Sequence, residues 1–306
     1  MKFDESNPKH IKSLDRYSFP YNGEEVDKYL DRLKEYRPFI HDIFFSLPDI
    51  PDFFSSYISK IQSNYNERCK EMLEETKEEA IRIVVTVNGN YIKFSFSEKE
   101  DIAKKVIEMV DRYNIYGVVL SDYNIAEMIH KENSTVVINT SCNVPQYKVS
   151  HLNHWRKYCG VELINPPRDT GKDIKLLKEF KEAGYKIKLL VNELCHYKCP
   201  NICSYCNISS GNKDTLCTNT KYEESPLLSC FIPPRWLDKY DEIVDIYKIT
   251  GRYLSTDCIF KWLEVYINRE DFVLSLSNNI AFPTKLIPDK QLSCGMKDCD
   301  NCKMCL

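Results

Sequence analysis

From about residue 40 the chain alternates short, continuously apolar runs with longer amphipathic ones. The apolar runs are Asp42–Leu47, Ile81–Val87, Tyr116–Ser121, Thr135–Asn139, Gly160–Ile164, Lys186–Val191 and Ile246–Thr250. Most hold four to six consecutive apolar residues rich in Val and Ile, the pattern of a strand buried on both faces. Helical periodicity fills the intervals Phe54–Glu79, Glu98–Tyr113, Asn124–His130, Tyr147–Tyr158, Asp173–Ala183 and Thr256–Asn268. Regular alternation of strand and helix predicts a parallel sheet with right-handed crossovers. No GxGxxG follows the first strand, which turns the prediction away from an open dinucleotide-binding sheet. The fold expected is α/β, a TIM-type (β/α) barrel, which uses about 250 residues. Residues 1–38 are polar and mixed, with a helical stretch around Glu24–Tyr36, and are expected to be an N-terminal lead-in. The barrel is expected over 39–280, with a cysteine-rich loop (192–230), followed by a Cys-rich tail over 281–306.

Polar residues gather where the predicted strands end. Asn88, Ser121-Asp122, Asn139-Thr140-Ser141, Asn165, Asn192-Glu193 and Thr250-Gly251-Arg252 all follow an apolar run. In a parallel barrel these positions share the C-terminal rim, where active sites are built. Lys248 and Arg252 suit an anionic substrate group, Arg through bidentate hydrogen bonds; ion pairing with Glu162 or Glu193 is the alternative for both. The aromatic residues Tyr17, Tyr21, Phe44, Phe45, Phe53 and Phe54 have no interleaved basic residues and read as packing, not as a base-stacking platform. His151 and His154 read as helix-surface residues.

The formal net charge of -3 argues against a broad nucleic-acid surface without excluding a local basic groove. The first residues, Met1-Lys2-Phe3-Asp4-Glu5, lack the apolar core of a signal peptide. No apolar run approaches the roughly 18 residues of a membrane span. A cytoplasmic location is therefore expected, and with it free thiols. That gives the 14 cysteines their meaning, because most lie beyond residue 190. Crowded thiols in a reducing compartment point to metal before disulfides.

The densest group is Asn192-Glu193-Leu194-Cys195-His196-Tyr197-Lys198-Cys199-Pro200-Asn201-Ile202-Cys203-Ser204-Tyr205-Cys206, directly after the strand Lys186–Val191. Cys217 and Cys230 follow. Deprotonated sulfur is a soft donor, and a loop at a strand end lets several sulfurs converge. Iron–sulfur clusters take four cysteines, and structural zinc takes four Cys or His. The place on an active rim favours the [4Fe–4S] cluster, while Cys69, Cys142 and Cys159 read as buried apolar thiols. A second group, Cys294-x4-Cys299-x2-Cys302-x2-Cys305, is spaced for a second cluster or zinc, or folds back over the first site.

Cys199-x3-Cys203-x2-Cys206, with Tyr205 before the last Cys, resembles the radical S-adenosylmethionine signature. In that family the motif follows the first barrel strand, whereas here only about a hundred residues follow it, too few for most of a barrel. The whole-chain layout, from about residue 40 to 270, is similar to the collagenase-like peptidase family U-32. The residues that carry this are Asn139–Asn143 after a strand, Gly160-Val161-Glu162-Leu163, the cysteine loop, and Cys230-Phe231-Ile232-Pro233-Pro234-Arg235-Trp236-Leu237. The segment Tyr247-Lys248-Ile249-Thr250-Gly251-Arg252 resembles the family's Lys-Ile-Glu-Gly-Arg strand, with Thr250 in place of the acid. The resemblance implies a cluster held by Cys195, Cys199, Cys230 and one of Cys203, Cys206 and Cys217. It also implies an oxygen-independent hydroxylation of an RNA base or small molecule.

The leading expectation is thus a cluster-dependent barrel enzyme that modifies an RNA base, small molecule or peptide, with Glu162, Asn192, Glu193, Lys248 and Arg252 orienting substrate or tuning the cluster. A reductant protein is an expected partner, and a membrane is not. The competing expectations are a radical S-adenosylmethionine enzyme, a U-32-type peptidase and a zinc-stabilised binding module. No HExxH or nucleophile motif singles out the peptidase.

Overall fold

A computed structural model describes residues 3–50, 64–89, 94–193, 230–252, 254–270, 273–276 and 280–283. Eight parallel strands close into a barrel, each paired with its neighbours in chain order, and β1 meets β8 to complete the ring. They are β1 (Tyr17–Pro20), β2 (Ile40–Ser46), β3 (Ile83–Val87), β4 (Gly117–Leu120), β5 (Val137–Thr140), β6 (Leu163–Ile164), β7 (Lys186–Leu190) and β8 (Ile246–Lys248).

The seven runs expected from the sequence are β2 to β8. The lead-in expected over residues 1–38 is corrected: it contains β1, which pairs with both β2 and β8. Its four residues include a proline and follow a polar helix, Pro8–Ser13, so no apolar run announces it. Pro20 is tolerated because it lies at the strand's end.

Outside the ring lie the helices α1 (Pro8–Ser13), α2 (Val26–Leu33), α3 (Tyr65–Thr76), α4 (Phe96–Tyr113), α5 (Tyr123–Glu132), α6 (Val149–Cys159), α7 (Ile174–Glu182) and α8 (Thr256–Asn268). Their starts are written locally. Ser95 accepts from the Glu98 amide while Glu98 reaches back to the Ser95 amide, a capping box for α4. Asp122 caps α5 and pairs with the buried Lys99 of α4, Nζ to Oδ2 2.7 Å. Gly160 ends α6 at φ +63°, with the His130 ring packed where a Cβ would stand. Beyond α8, Val273–Leu276 and Ile280–Pro283 form an antiparallel pair, β9 and β10, which straddles the expected start of the tail.

Side-chain alternation on the strands makes two cores. Ile43, Phe45, Val85, Val118, Leu120, Ile138, Ile187 and Leu189 face outward into one continuous core with the helices. Phe44, Val84 and Val119 form a separate small cluster inside the ring. Tyr17, Tyr21 and Phe45 are fully buried and pack as expected, whereas Phe44 lies inside the ring, and Phe53 and Phe54 are outside the described residues. His151 and His154 are exposed on α6.

Candidate functional site

The barrel interior is built from alternate strand positions, and its register decides which groups meet. Ser18 of β1 lies between Asp42 of β2 and Lys248 of β8. Leu190 of β7 lies beside Lys248, one inward step above Lys188. Low in the ring, Lys188 Nζ reaches Asp42 Oδ2 at 2.6 Å, with side chains 1% and 0% exposed. Ser18 donates a further hydrogen bond to Asp42. Burial raises the Asp42 pKa, but Lys188, His41 and these hydrogen bonds outweigh it and hold the carboxyl below its ordinary value.

Above this pair lie two more cations. Lys248 is 6% exposed, and its Nζ stands 4.1 Å from the centre of the Phe44 ring. No described oxygen accepts a hydrogen bond from it. Burial, and secondarily the like charges of Lys188 and Arg252, push its amine down to about 7, against the pull of Cys142 and Asp42. Arg252 donates from Nη1 to Ser46 Oγ at 2.7 Å and to Thr86 Oγ1 at 3.2 Å. Its guanidinium carbon is 5.7 Å from the Phe44 ring centre. The two residues expected from the Lys-x-x-x-Arg spacing therefore do converge inside the C-terminal mouth.

The other expected residues fall differently. Asn192 spends its amide on a clamp between the exits of β7 and β8. Its Nδ2 donates to the Thr250 carbonyl at 2.9 Å, and its Oδ1 accepts from the Thr250 amide at 2.7 Å and hydroxyl at 3.0 Å. It positions the segment between Lys248 and Arg252. Glu193 pairs with Arg168 at 3.2 Å. Glu162 is a correction: it is exposed and precedes β6, so it lies at the opposite end of the barrel from Lys248. A residue just before a strand and one just after it read alike in sequence, and only the strand's direction separates them.

Arg168 is a rim residue that the sequence reading missed. It donates to Asn143 Oδ1 at 2.6 Å and to Glu193, lies 3.9 Å from Cys142 Sγ, and its amide bonds to the Cys142 carbonyl. It thus joins the loops after β5 and β6 to the exit of β7. The signal was available: Pro166-Pro167-Arg168-Asp169 continues the strand-end loop that begins at Asn165. Nearby, Tyr147 donates to Asp169 at 3.2 Å.

Of the expected cluster ligands, Cys230 is placed. It is 1% exposed and lies two residues before Ile232, whose amide donates to the Val191 carbonyl at 2.9 Å. That sets it beside the strand exit from which the cysteine loop departs. Gly171 packs against the same segment, and a Cβ on it would meet Ile232 Cδ1 at 3.4 Å and the Cys230 carbonyl at 3.8 Å, ordinary contact distances. Cys195, Cys199, Cys203, Cys206, Cys217, Cys294, Cys299, Cys302 and Cys305 lie outside the described residues. Among the described residues, no three His, Cys, Asp or Glu converge as a metal site. None of the described helices is long and apolar enough to cross a membrane.

No family model matches the chain. An uncharacterized protease of Methanocaldococcus jannaschii is 24% identical over 221 residues, which cover 67% of this chain and 65% of the relative. The match therefore spans less than two thirds of that relative's length. The solved structure of a U-32 peptidase overlays with a TM-score of 0.52 at 10% identity, covering 82% of this chain and 96% of its own. At that identity the overlay speaks for the barrel fold. Together the two support the U-32 relationship expected from the sequence.

Proposed function

We propose that this protein is a U-32-type barrel enzyme that acts on a substrate presenting a carboxylate or carbonyl oxygen to the C-terminal mouth. The observation that carries the reading is the buried Lys248 amine, from which no described oxygen accepts a hydrogen bond. Lys188, Lys248 and Arg252 are all buried in the ring, and Asp42, already bonded to Lys188, is the described carboxylate among them. A desolvated amine that no described oxygen accepts from is costly unless a ligand supplies an acceptor, so Lys248 marks a site. Arg252, braced by Ser46 and Thr86, adds a fixed positive charge beside it over the same Phe44 ring. Asn192 and Arg168 hold the surrounding loops in place.

A [4Fe–4S] cluster beside this mouth is the second reading. It is favoured by the position of Cys230, a buried thiol at the exit of β7. The donor chemistry fits. The described carboxylates nearest it, Glu193 and Asp169, are engaged by Arg168 and Tyr147, and thiolate sulfur is the ligand type that iron–sulfur clusters take. Cys230 would act with Cys195, Cys199 and one of Cys203, Cys206 and Cys217. A bound cluster would supply electron transfer at the mouth, as an oxygen-independent hydroxylation needs.

One experiment tests both readings. Protein purified anaerobically is analysed for iron, sulfide and zinc, then incubated with peptide and RNA digests that are read by mass spectrometry. About four irons and four sulfides, with products that gain one oxygen, support the redox enzyme. Amide cleavage that survives chelation supports the peptidase. Zinc alone sinks the cluster. Products unchanged in Arg252→Gln sink the mouth as the reaction site.

A further inference from the structure

We propose that Lys248 is a nucleophile toward carbonyl groups, and that the barrel mouth forms an imine between its amine and an aldehyde or keto group of an anionic substrate. This rests on the reaction being placed at that mouth and names the substrate class it would take.

The argument is geometric first. Lys248 extends from β8 into the ring above the face of Phe44, which with Val84 and Val119 makes an apolar floor. No described oxygen accepts from its Nζ, so the nitrogen is not committed to a structural bond. Lys188, the other interior lysine, is fully committed to Asp42. The charged and titratable groups facing Lys248 come from four elements: Asp42 from β2, Cys142 from the loop after β5, Lys188 from β7 and Arg252 beyond β8. Two are fixed cations, and the carboxylate is already paired. A lysine desolvated beside other cations keeps a free lone pair at neutral pH, which is how amines become carbonyl nucleophiles. Burial beside these cations brings the Lys248 amine down to about 7.

The step balances without an outside oxidant or reductant. The amine lone pair attacks the carbonyl carbon, and a C–N bond forms as the C=O π bond becomes C–O–H. The two hydrogens of the amine leave with that oxygen as water, and the C=N bond remains. Arg252 stands 5.7 Å from the ring beneath Lys248, and its fixed positive charge there favours an anionic group on the substrate.

The test uses pyruvate and sodium cyanoborohydride on the full chain at pH 7, with adducts mapped by peptide mass spectrometry. The expected result is reduction onto Lys248 at least tenfold faster than onto the exposed Lys28 and Lys34. The rate should fall as pH drops below 7. In Arg252→Gln, trapping of pyruvate should slow while trapping of neutral acetaldehyde persists. The proposal is overturned if Lys248 is modified no faster than Lys28, or only after the protein is unfolded in urea. Trapping needs no knowledge of the natural reaction. Trapping with no detectable turnover therefore faults the assigned activity, whereas turnover without trapping faults the imine alone.

Discussion

At the scale of single residues, the interior of the ring is governed by the cost of burying charge. Asp42 and Lys188 are tolerated because each neutralises the other at 2.6 Å and Ser18 satisfies a further lone pair. Asp42→Asn should destabilise the protein by about 3–5 kcal/mol, because the Lys188 ammonium would stay buried without its partner. Denaturant unfolding measures this, and adding Lys188→Met should recover much of the loss. A result within 0.5 kcal/mol of wild type, at the order of magnitude expected for surface changes, would contradict the burial argument. Lys248 makes a prediction in pH. Its folded value, about 7, lies below the ordinary 10.5, so between these the unfolded chain binds more protons. Stability should therefore rise with pH across that window, flatten above it, and carry its full penalty below 7. Lys248→Met should abolish the slope, which chemical denaturation at pH 6, 8 and 10 would reveal.

At the scale of elements, helix starts and stops are local chemistry that the sequence writes plainly. Ser95 and Glu98 mark the start of α4 three residues apart. Gly160 ends α6 because it takes φ +63° and because the His130 Cε1 would lie 2.4 Å from a Cβ there. Gly160→Ala should cost more than the roughly 1 kcal/mol of a left-handed alanine alone, since the His130 ring must also move. Thermal melts of Gly160→Ala beside His130→Ala/Gly160→Ala would separate the two costs. If the double variant is no more stable than the single one, the ring is not the obstacle. The short strands are less legible. β6 has two residues and β8 three, while the sequence runs around them suggested five each. The apolar run continues past the three residues of β8, because Ile249 is also buried and its amide still donates to the Ser18 carbonyl of β1.

At the scale of the whole molecule, closure is what creates the site. β1 joins β2 to β8, and without it the ring opens along two edges. Deleting residues 1–22 should therefore abolish cooperative unfolding and produce aggregation. Circular dichroism melts and size-exclusion chromatography test this, and a soluble truncated protein with an unchanged melt would restore these residues to the status of a lead-in. Closure also explains why Lys248 meets Phe44. β8 and β2 are not neighbours in sequence or in the sheet, yet both flank β1.

Seven of the eight strands, the barrel class and the mouth residues Lys248 and Arg252 were legible in the sequence. Continuous apolar runs and strand-end polar residues are consequences of burial and direction that one strand expresses alone. The Cys195–Cys206 thiols were equally visible in the sequence, though they lie outside the described residues. Three matters belonged to the tertiary structure. β1 has too few apolar residues to signal itself and is a strand only because two partners accept it. Glu162 and Asn192 look alike as polar flanks of strands, but one lies on the far end and the other clamps Thr250. Arg168 gains its place at the rim only when the loops after β5 and β6 meet the exit of β7. In each case the deciding fact is a strand's direction or a contact between neighbouring strands and loops, which no local pattern encodes.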